Sequence, residues 1–340
     1  MTQKLIPVLL FTLQLFSAHA QDLTVPFGFQ PPKYTPHKSL YSHIDFLDSR
    51  VDKFIGPIAA GALRNRDGFL VMKLPVQPEL NAILRELTDS AAGEGEMLFQ
   101  LRRFKYVEAY STQYCFFCAT LYAKTAGRYQ KLMTLDTTFI LANDKTKKPL
   151  MKMTSAVVAD FLTEALVLQP ADHTSYGPEE IARIDSIEKI RLRLYTDTNL
   201  VDGLYTSYTS FGLQRPDLQC IVKTNRKMDI DQVDIIDADG EKKKQRPRDV
   251  YAVVYKGVPF MATEYGYYRL QRIDNDLYFT GDVRIAASMS DLASAQFGLG
   301  LLGRYIASKG LRTTYRLQLD HISGDFIHLW AIKNTDLNAN

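Results

Sequence analysis

Apolar and polar positions follow two different periods along the 340-residue chain. Leu80, Ile83, Leu84 and Leu87 recur at i, i+3, i+4 and i+7, which predicts a helix over Pro78–Ser90 with one apolar face. Gly93 and Gly95 then break the chain. Met97–Glu108, Tyr114–Thr125 and Leu132–Ala142 are rich in β-branched and aromatic residues and predict three long strands, the last two parted by a turn at Gly127. A second helix is expected from Pro149 to about Leu166. Proline suits its first turn, and Met153, Val157, Phe161 and Ala165 form its apolar stripe. A strand is expected near His43–Leu47, and Ile55–Leu63 reads as extended. The order helix, antiparallel strands, helix predicts a two-layer α+β domain over residues 40–168.

The flanking segments have a different texture. Residues 21–39 carry Pro26, Phe27, Phe29, Pro31, Pro32 and Pro36, and read as an extended, loosely held arm. Residues 169–189 read as a linker with a short charged helix near Glu179–Lys189. From residue 190 to 340 the pattern is of short strands, predicting a mostly antiparallel β domain. Candidates are Leu192–Tyr195, Leu218–Thr224 and Val233–Ile236. Three hairpins are expected: Val250–Tyr255 with Val258–Thr263 across Lys256-Gly257, Tyr267–Ile273 with Leu277–Gly281, and Tyr315–Leu319 with Phe326–Ile332 across Ser323-Gly324. The run Glu241–Arg248 (EKKKQRPR) reads as a polar loop, its charge offset by Asp237, Asp239 and Glu241. No repeat relates the two halves.

The first twenty residues alter the picture most. Lys4 precedes an apolar run, Leu5–Phe16, which ends in Ser17-Ala18-His19-Ala20 before Gln21. Small residues at Ala18 and Ala20 fit the shallow pockets of a leader peptidase. The run is shorter than the roughly 20 residues that span a bilayer. The expectation is a cleaved secretory leader, an extracytoplasmic protein and no transmembrane span in the mature chain. Gln21, standing where a lipid-bearing cysteine would be, argues against an anchored form. Loss of Lys4 lowers the formal charge from +3 to +2, too near neutral to favour nucleic acid.

Candidate chemistry is sparse. Gly298, Gly300 and Gly303 match G-x-G-x-x-G, with Asp320 downstream near the position of a ribose ligand. The upstream Ser290–Phe297 is not a buried strand, so the glycines are read as a small-residue connection and no cofactor is expected. Cys115 and Cys118 match C-x-x-C. Their flanks read as strand, where positions three apart face opposite ways with Cα atoms about 10 Å apart, too far for a local disulfide. With Cys220 the cysteines number three, so at least one thiol is free. Asp320-His321 resembles half of an acid–base pair but has no G-x-S-x-G serine to serve. None of the histidines has metal-binding spacing. Cys115, Cys118, Asp320 and His321 are the candidate site residues, with no catalytic, cofactor or metal set among them.

Several stretches carry a family resemblance. These are Asp48-Ser-Arg-Val-Asp52, Gly95–Phe104 (GEMLFQLRRF), Tyr114-Cys115 and Leu121–Lys124 (LYAK). In the second half they are Asp202-Gly-Leu-Tyr205, Phe211, Arg215-Pro216, and Tyr315-x-Leu-x-Leu-Asp320 with Gly324. In these the chain resembles uncharacterised two-domain secreted proteins of Gram-negative bacteria, and the resemblance implies no activity. The first domain is also loosely similar in layout to auxiliary components of envelope lipid transporters, a likeness of architecture that does not carry function. With 19 tyrosines and no catalytic constellation, the expected role is a non-enzymatic binding or assembly module whose partner is an envelope protein or polymer. The alternative is an envelope-polymer hydrolase, which needs two carboxylates converging within about 10 Å in a cleft.

Overall fold

The computed structural model describes residues 23–31, 35–60, 66–89, 92–109, 112–142, 148–171, 173–286 and 310–332. The leader (1–20) and the glycine fingerprint (298–303) lie outside the described residues. Strands β1 (Leu23–Phe27), β2 (Tyr41–Asp48), β3 (Phe54–Ala60) and β4 (Arg66–Met72) precede helix α1 (Gln77–Leu87). Three long strands follow, β5 (Gly95–Ala109), β6 (Thr112–Thr125) and β7 (Arg128–Ala142), then helix α2 (Lys148–Ala165). The next stretch holds β8 (Ser175–Tyr176), α3 (Pro178–Ala182), α4 (Ile184–Lys189), α5 (Arg193–Thr196), β9 (Gly203–Tyr205) and α6 (Tyr208–Gly212). Short strands complete it: β10 (Ile221–Thr224), β11 (Ile230–Ile236), β12 (Lys242–Gln245), β13 (Ala252–Tyr255), β14 (Val258–Thr263), β15 (Gly266–Arg269) and β16 (Gln271–Ile273). The last three are β17 (Asp276–Ala286), β18 (Gly310–Leu319) and β19 (Phe326–Ala331).

These strands build five sheets, and the described chain is mostly β. This corrects the α+β expectation. Helices α1 and α2 form as the periodicity predicts, but they back only part of the strand structure. The proline-rich arm and the Ile55–Leu63 region are not accessories to a helical layer. They supply β1 and β3, which flank β4 in a sheet of their own. Phe27 and Phe29 of the arm are buried, so this stretch belongs to the core. Nor are the sheets wholly antiparallel: β1 runs parallel to β4, and β2 parallel to β5.

The main sheet has the order β2-β5-β6-β7-β8. One face is apolar because Met97, Phe99 and Leu101 of β5 and Cys115, Phe117, Ala119 and Leu121 of β6 alternate toward it. On that face lie Leu80, Ile83, Leu84 and Leu87 of α1, and Val158, Phe161, Leu162 and Ala165 of α2. Helix α1 starts at Gln77 with Pro78 and Glu79 in its first turn and Arg85 in its last, as the helix dipole favours. A second core gathers β17–β19 around Phe279, Tyr315 and Leu317, and reaches Val107, Tyr114 and Phe116 at the far end of the β5–β6 hairpin.

Three local expectations are corrected. Leu192–Tyr195 is not a strand; Arg193–Thr196 forms α5, because two buried neighbours, Leu194 and Tyr195, satisfy a helical turn as well as a strand. Within the basic run, Lys242–Gln245 is strand β12, pairing with β11 while Lys242, Lys243 and Lys244 stay exposed. Lysine is common on such sheet edges because it discourages further pairing. The Tyr267–Ile273 segment splits at buried Leu270, β15 joining β14 and β16 joining β17. The other two hairpins form across Lys256-Gly257 and the Ser323-Gly324 turn.

Gly324 has φ +78, and a Cβ there would fall on the Tyr208 ring. Gly240 has φ +86 with open space around it. Alanine at Gly240 is expected to cost about 1–2 kcal/mol from its left-handed backbone. At Gly324 the displaced ring adds about 1–3 kcal/mol more. Urea unfolding midpoints of the two variants test this; equal losses would show that Tyr208 does not confine the turn.

Candidate functional site

The main sheet's other face carries the densest cluster of charge among the described residues. It begins with a bulge in β5. Leu101 opposes Ala119 and Arg103 opposes Cys118, leaving Arg102 as the extra residue. Strict alternation would aim Arg103 at the apolar face beside Leu101. With the bulge, Leu101 and Phe104 both reach the apolar core while Arg102 and Arg103 turn together to the opposite side.

Each guanidinium is met by acids from other elements. Helix α4 presents Asp185 and Glu188, three apart and on one face. Arg102 Nε donates to Asp185 Oδ1 at 2.8 Å, and its Nη2 donates to Asp185 and to Glu188 Oε2. Strand β7 supplies Asp136, which accepts from Arg103 Nη2. The turn after β18 supplies Asp320, whose Oδ2 accepts from the same Nη2 at 3.0 Å. Asp320 also organises that turn, accepting from the Ser323 hydroxyl at 2.8 Å and the Ile322 amide at 3.2 Å. His321 lies with Nε2 3.4 Å from Glu188 Oε2 and 3.3 Å from Arg102 Nη2. Its backbone carbonyl accepts from the Tyr208 hydroxyl at 2.6 Å.

Two guanidinium groups thus face four carboxylates. Burial raises the cost of charge at Glu188, Asp136 and Asp320, and the local partners decide the outcome. At Glu188 the hydrogen bond with His321 and the charge of Arg102 overcome burial and hold the carboxyl at about 2. At Asp320 burial is outweighed by the Arg103 charge and by hydrogen bonds with Asp136 and Arg103, so it stays ionised far into acid. Asp136 is the opposite case. Burial, then the hydrogen bond and negative charge of Asp320, outweigh Arg103 and push it up to about 7. Two ionised carboxylates are acceptors only, so a hydrogen bond between them needs a proton on one. Asp136 Oδ2 and Arg103 Nε are buried without a partner. They border a pocket of about 20 Å³, also lined by Thr137, Thr138 and Ser323, with room for a water.

Asp185, Glu188 and His321 lie close enough to hold a metal ion. The Arg102 guanidinium already bonds both carboxylates, so the cation these groups hold is the protein's own. Of the sequence candidates, Asp320 and His321 come together here, Nδ1 standing 3.9 Å from Oδ1. Cys115 and Cys118 do not meet. Cys115 faces the apolar core, while Cys118 faces the two arginines. Burial raises both thiols well out of the reactive range. Sequence reasoning missed Arg102, Arg103, Asp136, Asp185 and Glu188. One signal was present: Leu101 and Phe104 enclose two charges, a spacing that regular alternation cannot bury on one face.

Two residues of the Asp202–Tyr205 motif hold local structure. Asp202 accepts from the Lys256 and Gly257 amides and so fixes the β13–β14 turn. Gly203 has φ +148 and lies against Pro216. No protein-family model matches the chain, and no curated protein matches it in sequence. A crystal structure of a protein from Xanthomonas campestris, assigned to the family of unknown function DUF330, is 10% identical with a TM-score of 0.28. That alignment covers 42% of this chain and 95% of that chain, and at this level the likeness carries no argument.

Two outcomes are expected. In the folded protein a maleimide reagent labels half-buried Cys220, slowed because burial lifts its thiol to about 11, while Cys115 and Cys118 label only on unfolding. Prompt labelling of all three would refute their placement. Secondly, Glu188 and Asp320 have lowered values, so they stabilise the fold above their unfolded values near 4 and lose that contribution as pH falls toward 2. Glu188→Gln is expected to shallow the fall in urea stability between about pH 4.5 and 2, and an unchanged slope would show that the pairing with Arg102 contributes nothing.

Proposed function

We propose that the chain is an exported, non-enzymatic binding or assembly module that takes an extended segment of a partner along the open edge of β7. The observation that carries this is the pairing of β7. It bonds β6 from Arg128 to Ala142, but on its outer side it meets β8 only at Tyr129 and Gln130. Among the described residues, no strand pairs with the rest of that side. Alternate backbone N–H and C=O groups of residues 131–142 therefore face outward, as a template for one more strand. From Leu132 to Ile140 the edge has no proline and no lysine, the usual means of blocking pairing. An added strand would meet Met133, Leu135 and Phe139 beside the apolar core on one face, and Thr134 and Thr138 on the other. Such alternation gives strand addition its specificity.

The leader supports an extracytoplasmic setting and Gln21 an unanchored one. Two units are also supported. The first core uses residues up to Leu166, and the second draws mainly on residues from Leu192 onward. No described helix is long and apolar enough to cross a membrane. The hydrolase reading has one observation in its favour, the convergence of Asp136 and Asp320 with one carboxyl raised. Against it, Arg103 bonds both groups, and the adjoining pocket is the size of a water. Small-molecule sites are commonly about 300–1,000 Å³.

A photoreactive residue placed at Thr134 or Thr137, one on each face of the sheet, is expected to form adducts in the envelope of the producing cells. The same residue at Lys243 on β12 serves as the control. Adducts at the β7 positions whose crosslinked peptide is one contiguous segment support strand addition. Absence of adducts there, or an identical set from Lys243, would refute it.

A further inference from the structure

We propose that the turn at residues 320–325 is latched to the main sheet by a single proton shared between Asp136 and Asp320 over Arg103, so that pH sets how tightly the turn is held. The inference does not depend on what β7 pairs with. Three observations lead to it. Both carboxylates bond one nitrogen, Arg103 Nη2. Asp136 Oδ2 is buried without a partner, the state of an oxygen that gains most from carrying a hydrogen. Asp320, its neighbour, holds the turn itself through Ser323 and Ile322. A proton on Asp136 would give the pair one hydrogen to share over Arg103, tying β7 to the residue on which the turn is built.

The charges around the pair fix the direction. Strand β5 contributes Arg102 and Arg103. Strand β6 contributes the Cys118 thiol, kept neutral by burial. Strand β7 adds Asp136 and also Lys131, whose Nζ is 3.9 Å from Glu188. Helix α4 brings Asp185 and Glu188, and the turn brings Asp320, His321 and Asp325. Within the Asp136–Arg103–Asp320 unit, two ionised carboxylates on one guanidinium leave a buried net negative charge. One proton makes the unit neutral. The proton belongs to the pair as a whole. Because Asp136 is raised to about 7, its contribution is present in full below its unfolded value near 4 and is lost as pH rises through 7. The adjoining pocket, lined by both Asp136 and Asp320, has room for a water that could take the proton. The latch is tightest near pH 4, loosens as pH rises toward 7 and changes little in base.

Other bonds keep the turn from detaching outright. The Tyr208 hydroxyl donates to His321 O and the Tyr251 hydroxyl to Gly324 O, each at 2.6 Å. The expected response is thus local opening within a folded molecule. If Asp136 regains an ordinary value when the turn opens, the opening constant rises about thirtyfold between pH 5.5 and 8.5.

Hydrogen exchange of the full chain tests this, with each rate divided by the intrinsic chemical rate at the same pH. Wild-type protection over residues 320–325 is expected to fall about thirtyfold across that range. Asp136→Asn, which imitates the protonated group, is expected to flatten the dependence. His321→Gln is expected to keep it, which separates the imidazole from the carboxyl pair. Flat wild-type protection, or an unchanged slope in Asp136→Asn, would overturn the proposal. A carbon-13 carboxyl titration of the wild type needs no variant. Asp136 titrating near 7 together with the 320–325 amides supports the latch, and titration in the ordinary range near 4 sinks it.

Discussion

Two adjacent arginines in the middle of a mostly apolar strand impose the requirement that the surrounding elements meet. A guanidinium withdrawn from water costs several kcal/mol unless acids meet it in good geometry. The β5 bulge puts Arg102 and Arg103 on one face, so both demands fall at one place. The acids come from α4, from β7 and from the turn after β18, elements spread from residue 136 to residue 320. A buried ion pair is not in itself evidence of high stability. Here it specifies position: α4, β7 and the turn each have one placement that supplies its carboxylate.

Much of the fold follows from short-range pattern. Leu80, Ile83, Leu84 and Leu87 mark α1 as they should, and the three long strands and two of the hairpins are where their β-rich composition puts them. The misreadings share a cause. Polarity reads as loop at Lys242–Gln245, although an edge strand bonds through its backbone and leaves lysine free to the solvent. Proline and aromatic residues read as a loose arm at Leu23–Phe27, although a strand can begin a sheet with Pro26 in it. Those errors hid a whole sheet and tilted the class toward α+β. The charged cluster was illegible for a different reason. Asp320 and His321 stood out locally, but their counterparts lie about two hundred residues earlier, and only the bulge spacing at Leu101–Phe104 hinted at them.

The cluster also shows how a site can satisfy one criterion of catalysis and miss another. Two carboxylates driven apart in proton affinity are the usual signature of acid–base work. At Asp136 and Asp320 the same electrostatics arise from crowding around Arg103, and the adjoining space fits a water. The perturbed ionisation of this pair follows from the charge balance around Arg103, and the strand addition proposed above rests on the outer side of β7 instead.

The parallel pairs have a consequence for the order in which the chain takes shape. As synthesis runs from the N-terminus, Leu23 of β1 waits for Gly68 of β4, and Tyr41 of β2 waits for Gly95 of β5. Neither of the first two strands has a neighbour made shortly after it. Contacts of this non-local kind form late because the intervening chain must first give up its freedom. Until those partner strands have been made, the backbones of β1 and β2, and Phe27 opposite Met72, stay unpaired.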